Sequence, residues 1–183
     1  GCIRIWNLDT GSTINLTEHS NTVSCITTAT LKRNEEFIVT GGFDGRVGVW
    51  DVRKRLSVRP HLVTMFDAHP NSEVLCLIHD PLQGTIVTAG NDMIIKVWAA
   101  GTYELVGEHV GHTEAVTTLA LDGNFLFSGS EDNTIKVWDA VARGRGSSGI
   151  KTLTGHSRPV TAISIIEESG YLLSCSLDGS LLV

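Results

Sequence analysis

Short runs of alternating apolar and polar residues recur along the whole chain, and turn-forming Gly, Asn and Asp residues separate them. A period of two residues is the pattern of a β-strand that buries one face. Four of the runs (IRIW, VGVW, IKVW and IKVW) end in a tryptophan, and successive tryptophans are 40 to 48 residues apart. A period of this length indicates a repeat architecture with four short strands, a to d, in each repeat. In the first complete repeat, the strands are predicted at Val23–Thr28 (a), Phe37–Gly41 (b), Val47–Val52 (c) and His61–Phe66 (d).

Other residue types recur in phase with the tryptophans. An aspartate stands six residues before each of the last three tryptophans, a hydroxyl residue four residues before each aspartate, and a histidine 20 to 25 residues before it. The aspartates fall in Asp-Gly and Asx pairs, which predict tight turns between strands b and c. Asp178 begins the same spacing again and points to position 184, just past the end of the sequence, while Gly1 stands where the glycine of an Asp-Gly turn belongs. Both ends therefore cut through a repeat, and we expect a fragment of a longer protein.

Two dipeptides carry a family resemblance. Gly111-His112 and Gly155-His156 stand near the start of two repeats, and Trp50-Asp51 and Trp138-Asp139 stand near the end of two. With the phased aspartates and hydroxyls, these residues make the chain similar to the WD40-repeat (β-transducin-like) family. The resemblance implies an all-β fold, a partial WD40-repeat β-propeller of four-stranded antiparallel blades. The expected repeats are approximately 14–52, 61–100, 105–140 and 150–183, and 1–12 is the end of a preceding repeat within a single partial propeller, 1–183.

The resemblance also assigns a structural role to the phased residues. In WD repeats, the corresponding His, Ser or Thr, Asp and Trp form a hydrogen-bonded tetrad that ties the d-to-a loop to strands b and c. The tetrads implied here are His19, Thr40, Asp44, Trp50; His69, Thr88, Asp92, Trp98; His112, Ser128, Asp132, Trp138; and His156, Ser174, Asp178 without a tryptophan. Ser, His and Asp are also the parts of a hydrolase triad. Because the set repeats in every blade, however, we expect no catalytic residue, and we predict no cofactor and no metal site.

The family resemblance further implies a top face, formed by the d-to-a and b-to-c loops, on which partners bind. The positions carried over by motif are Thr22, Ser24, Phe43, Glu73, Leu75, Asn91, Ala115, Thr117, Glu131, Pro159, Thr161 and Leu177. None of them is basic, and several are apolar. Such a face suits a protein partner with apolar anchors better than it suits phosphate.

Composition limits the function classes. A formal net charge of −6 provides no general attraction to a phosphate backbone, which argues against nucleic acid as the main partner. The longest apolar run is Val74–Ile78, so neither a signal peptide nor a membrane span is predicted. The four cysteines are scattered without a C-x-x-C pair. We therefore expect an intracellular protein, cytoplasmic or nuclear, that has no membrane partner.

One segment favours an alternative function. Ile38–Arg53 is similar to the sixteen-residue box, ending in Trp-Asp-x-Arg, of WD-repeat substrate receptors of cullin-type ubiquitin ligases. Most of this box is an ordinary repeat, so its added information lies in Asp51 and Arg53. Under this alternative, the two residues contact the ligase adaptor.

Basic residues favour another alternative. Eight of the fourteen fall in loops of the opposite, bottom face: Lys32, Arg33, Arg53, Lys54, Arg55, Arg59, Arg143 and Arg145. The last two of these arginines lie in or next to Gly144–Gly149, a segment that is predicted to be a flexible insertion. This basic side is the basis for the alternative of an RNA-associated scaffold.

The sequence therefore predicts a non-catalytic WD-repeat scaffold or adaptor that mediates protein-protein interactions. The alternatives are a substrate receptor of a cullin-type ubiquitin ligase, an RNA-associated scaffold, and an enzyme whose catalytic part lies outside this chain.

Overall fold

The computed structural model describes residues 1–30, 35–52, 60–166 and 169–183, and every regular element in these ranges is a β-strand. The strands form five sheets, numbered here in chain order. This architecture confirms the all-β prediction. The described residues contain no helix with the length and apolar composition that a membrane span requires.

The sheets contain consecutive strands. The first sheet is the hairpin of β1 (Ile3–Trp6) and β2 (Thr13–Leu16). The second contains β3 (Val23–Thr30), β4 (Glu36–Gly42), β5 (Arg46–Asp51) and β6 (His61–Asp67). The third contains β7 (Val74–Asp80), β8 (Thr85–Gly90), β9 (Ile94–Ala99) and β10 (Leu105–Val110). The fourth begins with β11 (Val116–Asp122), β12 (Phe125–Ser130) and β13 (Ile135–Asp139).

The segment after β13 differs from its prediction. Gly144–Ser147 is not a flexible loop but a strand, β14, that joins the third sheet as a fifth strand beside β10. Its pairing with β10 is parallel, whereas all other described pairs are antiparallel. Gly144 and Gly146 have φ angles of 110° and 76°, a backbone that other residues rarely adopt. A strand made of such residues carries no period-two signal, which is why the sequence pattern did not predict it.

The remaining strands complete the stack. The fourth sheet ends with β15 (Lys151–Leu153), and the fifth contains β16 (Val160–Ile166), β17 (Tyr171–Ser176) and β18 (Leu181–Leu182). The first strands of the second to fifth sheets, β3, β7, β11 and β16, contact one another in sequence. These strands therefore share one edge of the stack, as the inner strands of propeller blades do.

Tight turns connect strands b and c. The residue after each tetrad aspartate has a positive φ, at Gly45, Met93, Asn133 and Gly179. Gly and Asn adopt this conformation readily, whereas Met does not. Met93 is therefore the strained member of the set.

The core lies between sheets. Val39 and Val49 of the second sheet pack on Val74, Ile86 and Trp98 of the third. Equivalent clusters join the first sheet to the second and the third to the fourth. Each of Trp50, Trp98 and Trp138 thus faces the preceding sheet and is buried against it. Because the sheets are stacked in this way, the loops at each end of the strands form two separate faces.

Candidate functional site

The tetrad of the second sheet is a continuous hydrogen-bonded chain. The Trp50 Nε1–H donates to Thr40 Oγ1 at 2.9 Å, and His19 Nε2 lies 2.9 Å from the same oxygen. His19 Nδ1 lies 3.0 Å from Asp44 Oδ2. Because the indole can only donate and the carboxylate can only accept, the network assigns the imidazole proton to Nδ1 and lets the hydroxyl donate to Nε2. With its proton on Nδ1, His19 leaves no polar side-chain atom of this tetrad without a hydrogen-bond partner.

The same geometry repeats in the third and fourth sheets. The His Nε2 to hydroxyl distances are 2.8 Å for His69 and 2.7 Å for His112. The indole N–H groups of Trp98 and Trp138 reach the same hydroxyls at 2.9 and 2.8 Å. The structure thus brings together the residues that the sequence spacing predicted to form the three complete tetrads.

The environment favours an ionised aspartate and a neutral histidine. Burial raises the pKa of Asp132, but hydrogen bonds from Thr134 and His112 outweigh it and lower the pKa to about 2. Burial is similarly outweighed in Asp44 and Asp92, whose pKa values are also lowered. For His112, burial is the larger effect, and the pKa of its imidazole is lowered despite the neighbouring carboxylate.

The third sheet lacks one bond that the other sheets have. The residue after the tetrad histidine donates its backbone N–H to the aspartate at Ser20, Thr113 and Ser157. In the third sheet, that residue is Pro70, which has no N–H. The Asp92 side chain is correspondingly more exposed, at 22% against 4% for Asp44 in the second sheet, and the ammonium of Lys96 lies 3.5 Å away.

The fifth sheet holds three of the four residue types. His156 Nε2 lies 2.9 Å from Ser174 Oγ, and His156 Nδ1 lies 3.0 Å from Asp178. Hydrogen bonds, the largest from Ser180, lower the pKa of Asp178. A cavity of about 260 Å³ lies beside these residues and is lined in part by Leu153, His156 and Ser174.

These groups are unsuited to nucleophilic catalysis. Ser128 is fully buried, and its oxygen accepts the indole N–H of Trp138 while contacting His112. A nucleophile needs an accessible oxygen with a free lone pair. The arrangement therefore fixes the d-to-a loop on the sheet. Among the described residues, no three His, Cys, Asp or Glu side chains are grouped as a metal site requires.

The structure also brings the predicted top-face positions together in pairs. In each of the second to fifth sheets, the residue before the tetrad aspartate donates its backbone N–H to a carbonyl in front of strand a, at 2.8 to 3.1 Å. The pairs are Phe43 with Thr22, Asn91 with Glu73, Glu131 with Ala115, and Leu177 with Pro159. Leu177 is 60% exposed, whereas Ala115 is buried and presents no side chain to a partner.

The side chains at two top-face positions form hydrogen bonds to the next sheet. Ser24 Oγ donates to the carbonyl oxygens of Gly41 and Val74, and the bond to Val74 crosses to the third sheet. Thr117 Oγ1 makes the equivalent bond to Val160 of the fifth sheet at 2.6 Å. These hydroxyls link successive sheets, so their replacement would weaken the fold as well as the surface.

A polar hollow opens on the top face between the second and third sheets, with a volume of about 590 Å³. Three carboxylates and one aromatic ring contribute to its lining, which consists of Phe43, Asp44, Pro70, Asn71, Ser72, Glu73, Asn91 and Asp92. The hollow thus combines an apolar wall with negative charge.

Two further hydroxyls belong to this framework and were not predicted. Ser130 Oγ donates to the Glu114 carbonyl at 3.1 Å, and Ser176 Oγ donates to the Arg158 carbonyl at 2.8 Å. Both stand two residues after the tetrad hydroxyl, where the earlier repeats have glycine. The Ser-x-Ser-x-Asp spacing is the signal that could have identified them.

The bottom face is described only in part. Asp51 is buried, so its side chain is poorly placed to meet an adaptor. Arg53, together with Lys32, Arg33, Lys54, Arg55 and Arg59, lies outside the described residues. Arg143 is exposed, and its guanidinium donates to the Ala140 carbonyl at 3.2 Å.

The sequence is similar to those of several known proteins. The chain is 33% identical over 172 residues to human cilia- and flagella-associated protein 52, covering 91% of this chain and 25% of that protein. It is 34% identical over 134 residues to the yeast COMPASS component SWD3, covering 72% and 39%. It is 32% identical over 139 residues to Dictyostelium myosin heavy chain kinase C, covering 76% and 16%. The chain thus spans well under half the length of these curated relatives.

A solved structure and a family model agree with these relatives. The crystal structure of the computationally designed Ika4 protein superposes with a TM-score of 0.72 at 29% identity, covering 91% of this chain and 92% of that one. The family model described as WD domain, G-beta repeat matches residues 11–51, 60–99, 103–139 and 147–183. The chain therefore belongs to the WD40-repeat family.

Proposed function

We propose that this chain is a non-catalytic scaffold or adaptor that binds a protein partner through its top face. The observation that carries the proposal is the rim of paired loop positions, in which Phe43 and Leu177 present apolar surface and no position is basic. Binding residues are found disproportionately on loops that a rigid scaffold positions. The tetrads supply that rigidity, since each one anchors a d-to-a loop.

The chemistry of the face indicates the kind of partner. The hollow beside Phe43 has an aromatic wall and the carboxylates of Glu73 and Asp92. An apolar side chain that anchors on the aromatic wall would be complemented by basic residues around it. We therefore expect a partner segment in which apolar and basic residues are neighbours.

The relatives support a binding role. SWD3 is named as a component of COMPASS, and a component acts within an assembly. One relative is named as a kinase, but this chain corresponds to only 16% of it. All four cysteines are free thiols, as expected for a reducing compartment, which supports a cytoplasmic or nuclear location.

The test compares two double variants of the full-length protein. Phe43→Ser with Leu177→Ser removes the two large apolar side chains of the paired top-face positions. Leu82→Ser with Ile150→Ser removes two exposed apolar side chains that lie in other loops. Proteins that co-purify with wild type are quantified by mass spectrometry. We expect the top-face variant to lose a protein that the control retains.

The outcomes separate binding from folding. The control variant should unfold within about 1 kcal/mol of wild type, since exposed substitutions change stability little. Phe43 is half-buried, so the top-face variant should lose about 1 to 2 kcal/mol, and urea unfolding checks that it is still folded under the conditions of the co-purification. If both recover the same proteins in the same amounts, the top face is not the binding site. A loss in the control variant alone would place the site on the opposite face.

A further inference from the structure

One position, buried in the first and third sheets and half-buried in the second and fourth, differs in residue type between otherwise equivalent sheets. The strand c residue three positions before each of the four tryptophans pairs with a strand d residue that packs toward the next sheet. These strand d residues are Leu16, Phe66, His109 and Leu153, paired with Ile3, Val47, Ile95 and Ile135. Three of the four are apolar. The third sheet alone places an ionisable side chain here.

His109 occupies this position as an aromatic filler. Its ring lies 5.4 Å from the ring of Trp138 in the fourth sheet, much as the ring of Phe66 lies 5.0 Å from that of Trp98. Its exposed fraction is 1%, and neither ring nitrogen has a hydrogen-bond partner. Unpartnered buried polar atoms are rare in folded proteins because they cost free energy.

The strand β14 lies beside β10, the strand that carries His109. It pairs with β10 at two positions, Gly107 with Gly144 and His109 with Ser147. Because two of the four residues of β14 are glycines with positive φ, holding them in a strand costs much conformational entropy. We expect β14 to be the first element to detach when the contact beneath it weakens.

We propose that His109 makes the seam between the third and fourth sheets sensitive to acid, because protonation drives its ring out from beside Trp138 and releases β14. Opening this seam would also change the spacing of top-face loops that lie on its two sides, those of Glu73 and Glu131.

The groups around His109 do not compensate a positive charge in the closed seam. The nearby charges are Asp139, at the end of β13, and Arg143, just before β14, and their effects on the imidazole are opposite. His112 packs against the other side of the Trp138 region and is a neutral member of its tetrad. Burial is the largest influence, and it lowers the pKa of His109 below the ordinary value for histidine.

The sign and size of the effect follow from this preference. The open state binds a proton with an ordinary pKa of about 6.5, whereas the closed state resists it. The closed seam is therefore fully favoured above pH 6.5 and loses stability as the pH falls below that value. If the closed state takes up no proton, the opening equilibrium constant rises about tenfold between pH 7.5 and 5.5.

Hydrogen exchange of the full-length protein measures this opening. Exchange rates are corrected for the intrinsic rate at each pH, and peptides covering 105–110 and 144–150 are compared with a peptide covering 61–67. For wild type, we expect an increase of about tenfold at the first two peptides from pH 7.5 to 5.5. His109→Phe and His109→Leu, which install the residues of the equivalent positions, should reduce the increase to less than threefold.

The reciprocal variant is Phe66→His, which should create a new acid response at the 61–67 peptide. The proposal is overturned if wild type shows no acid response at 105–110, or if His109→Phe retains the full response. Because Phe66 is half-buried, a folded Phe66→His protein should respond less at 61–67 than wild type responds at 105–110. Should Phe66→His fail to fold, the two His109 variants decide the question alone.

Discussion

The four tetrad aspartates should not contribute equally to stability, and Asp132 and Asp92 give the sharpest comparison. Asp132 accepts hydrogen bonds from His112 Nδ1 at 2.7 Å, from the Thr113 backbone N–H at 3.1 Å, and from the N–H and hydroxyl of Thr134. Asp92 accepts from its histidine at 2.8 Å and from the Ile94 N–H at 3.3 Å. Asp92 lacks the backbone donor that corresponds to the Thr113 N–H, because the residue at that position is Pro70, which has no N–H.

The magnitudes follow from the donors left behind. Asp132→Ala leaves a buried imidazole N–H and further donors without an acceptor, at a cost of about 2 to 4 kcal/mol. Asp92→Ala also leaves the His69 N–H unpaired, but it loses two hydrogen bonds fewer, because Asp92 has no equivalent of the Thr113 N–H and the Thr134 hydroxyl. Its carboxylate is also more exposed, so we expect a loss smaller by about 1 kcal/mol.

Urea unfolding of the full-length variants, followed by fluorescence at fixed pH 7, measures both losses. Asn124→Ala, an exposed substitution near the end of β11, serves as the control and should change stability by less than about 0.5 kcal/mol. Equal losses for the two aspartates, or a larger loss for Asp92, would show that the additional donors of Asp132, the Thr113 N–H and the Thr134 hydroxyl, are energetically irrelevant. No loss for Asp132 would refute the structural role of the tetrad.

Three further outcomes are expected. Met93→Gly should raise the free energy of unfolding in urea by about 0.5 to 1 kcal/mol, because glycine adopts the φ of 65° at this partly exposed position without strain. A destabilised variant would contradict this account of the turn. In an acid titration, the tetrads should stay intact down to about pH 4, and the protein should unfold as the pH approaches 2. The reason is that the folded pKa of Asp132 is about 2, and the stabilisation from its carboxylate is lost as the pH falls through that value. A transition near pH 4 in circular dichroism would show instead that the carboxylate is unperturbed. Arg53→Ala should abolish co-purification of a cullin-type ligase if the similarity of Ile38–Arg53 to the receptor box is functional, and retention of the ligase would exclude that residue.

The strand pattern could be predicted because each repeat encodes it locally. Strand a of the second sheet was predicted at Val23–Thr28 and extends to Thr30, and strand c was predicted at Val47–Val52 and is found at Arg46–Asp51. Alternation of apolar and polar residues fixes which face is buried, and the Asx turns fix the register. Boundaries differ by one or two residues because strand ends depend on neighbouring sheets.

The features that were not predicted depend on contacts between repeats. The strand β14 depends on the free edge of β10, and the burial of His109 depends on Trp138 in the next sheet. The effect of Pro70 is visible in the sequence only when the backbone donor at this position is known from the other tetrads. A single sequence contains the residues of such contacts but not their geometry.

The central claim is that the top face is where a protein partner binds, and site-specific photo-crosslinking tests it most directly. A photo-reactive amino acid is placed at Phe43 in one version of the full-length protein and at Leu82 in another, and each is irradiated in cells. We predict a discrete cross-linked protein from position 43 that is absent from position 82, and its yield should fall when Leu177→Ser is added. A cross-link from position 82 alone, with none from position 43, would contradict the account.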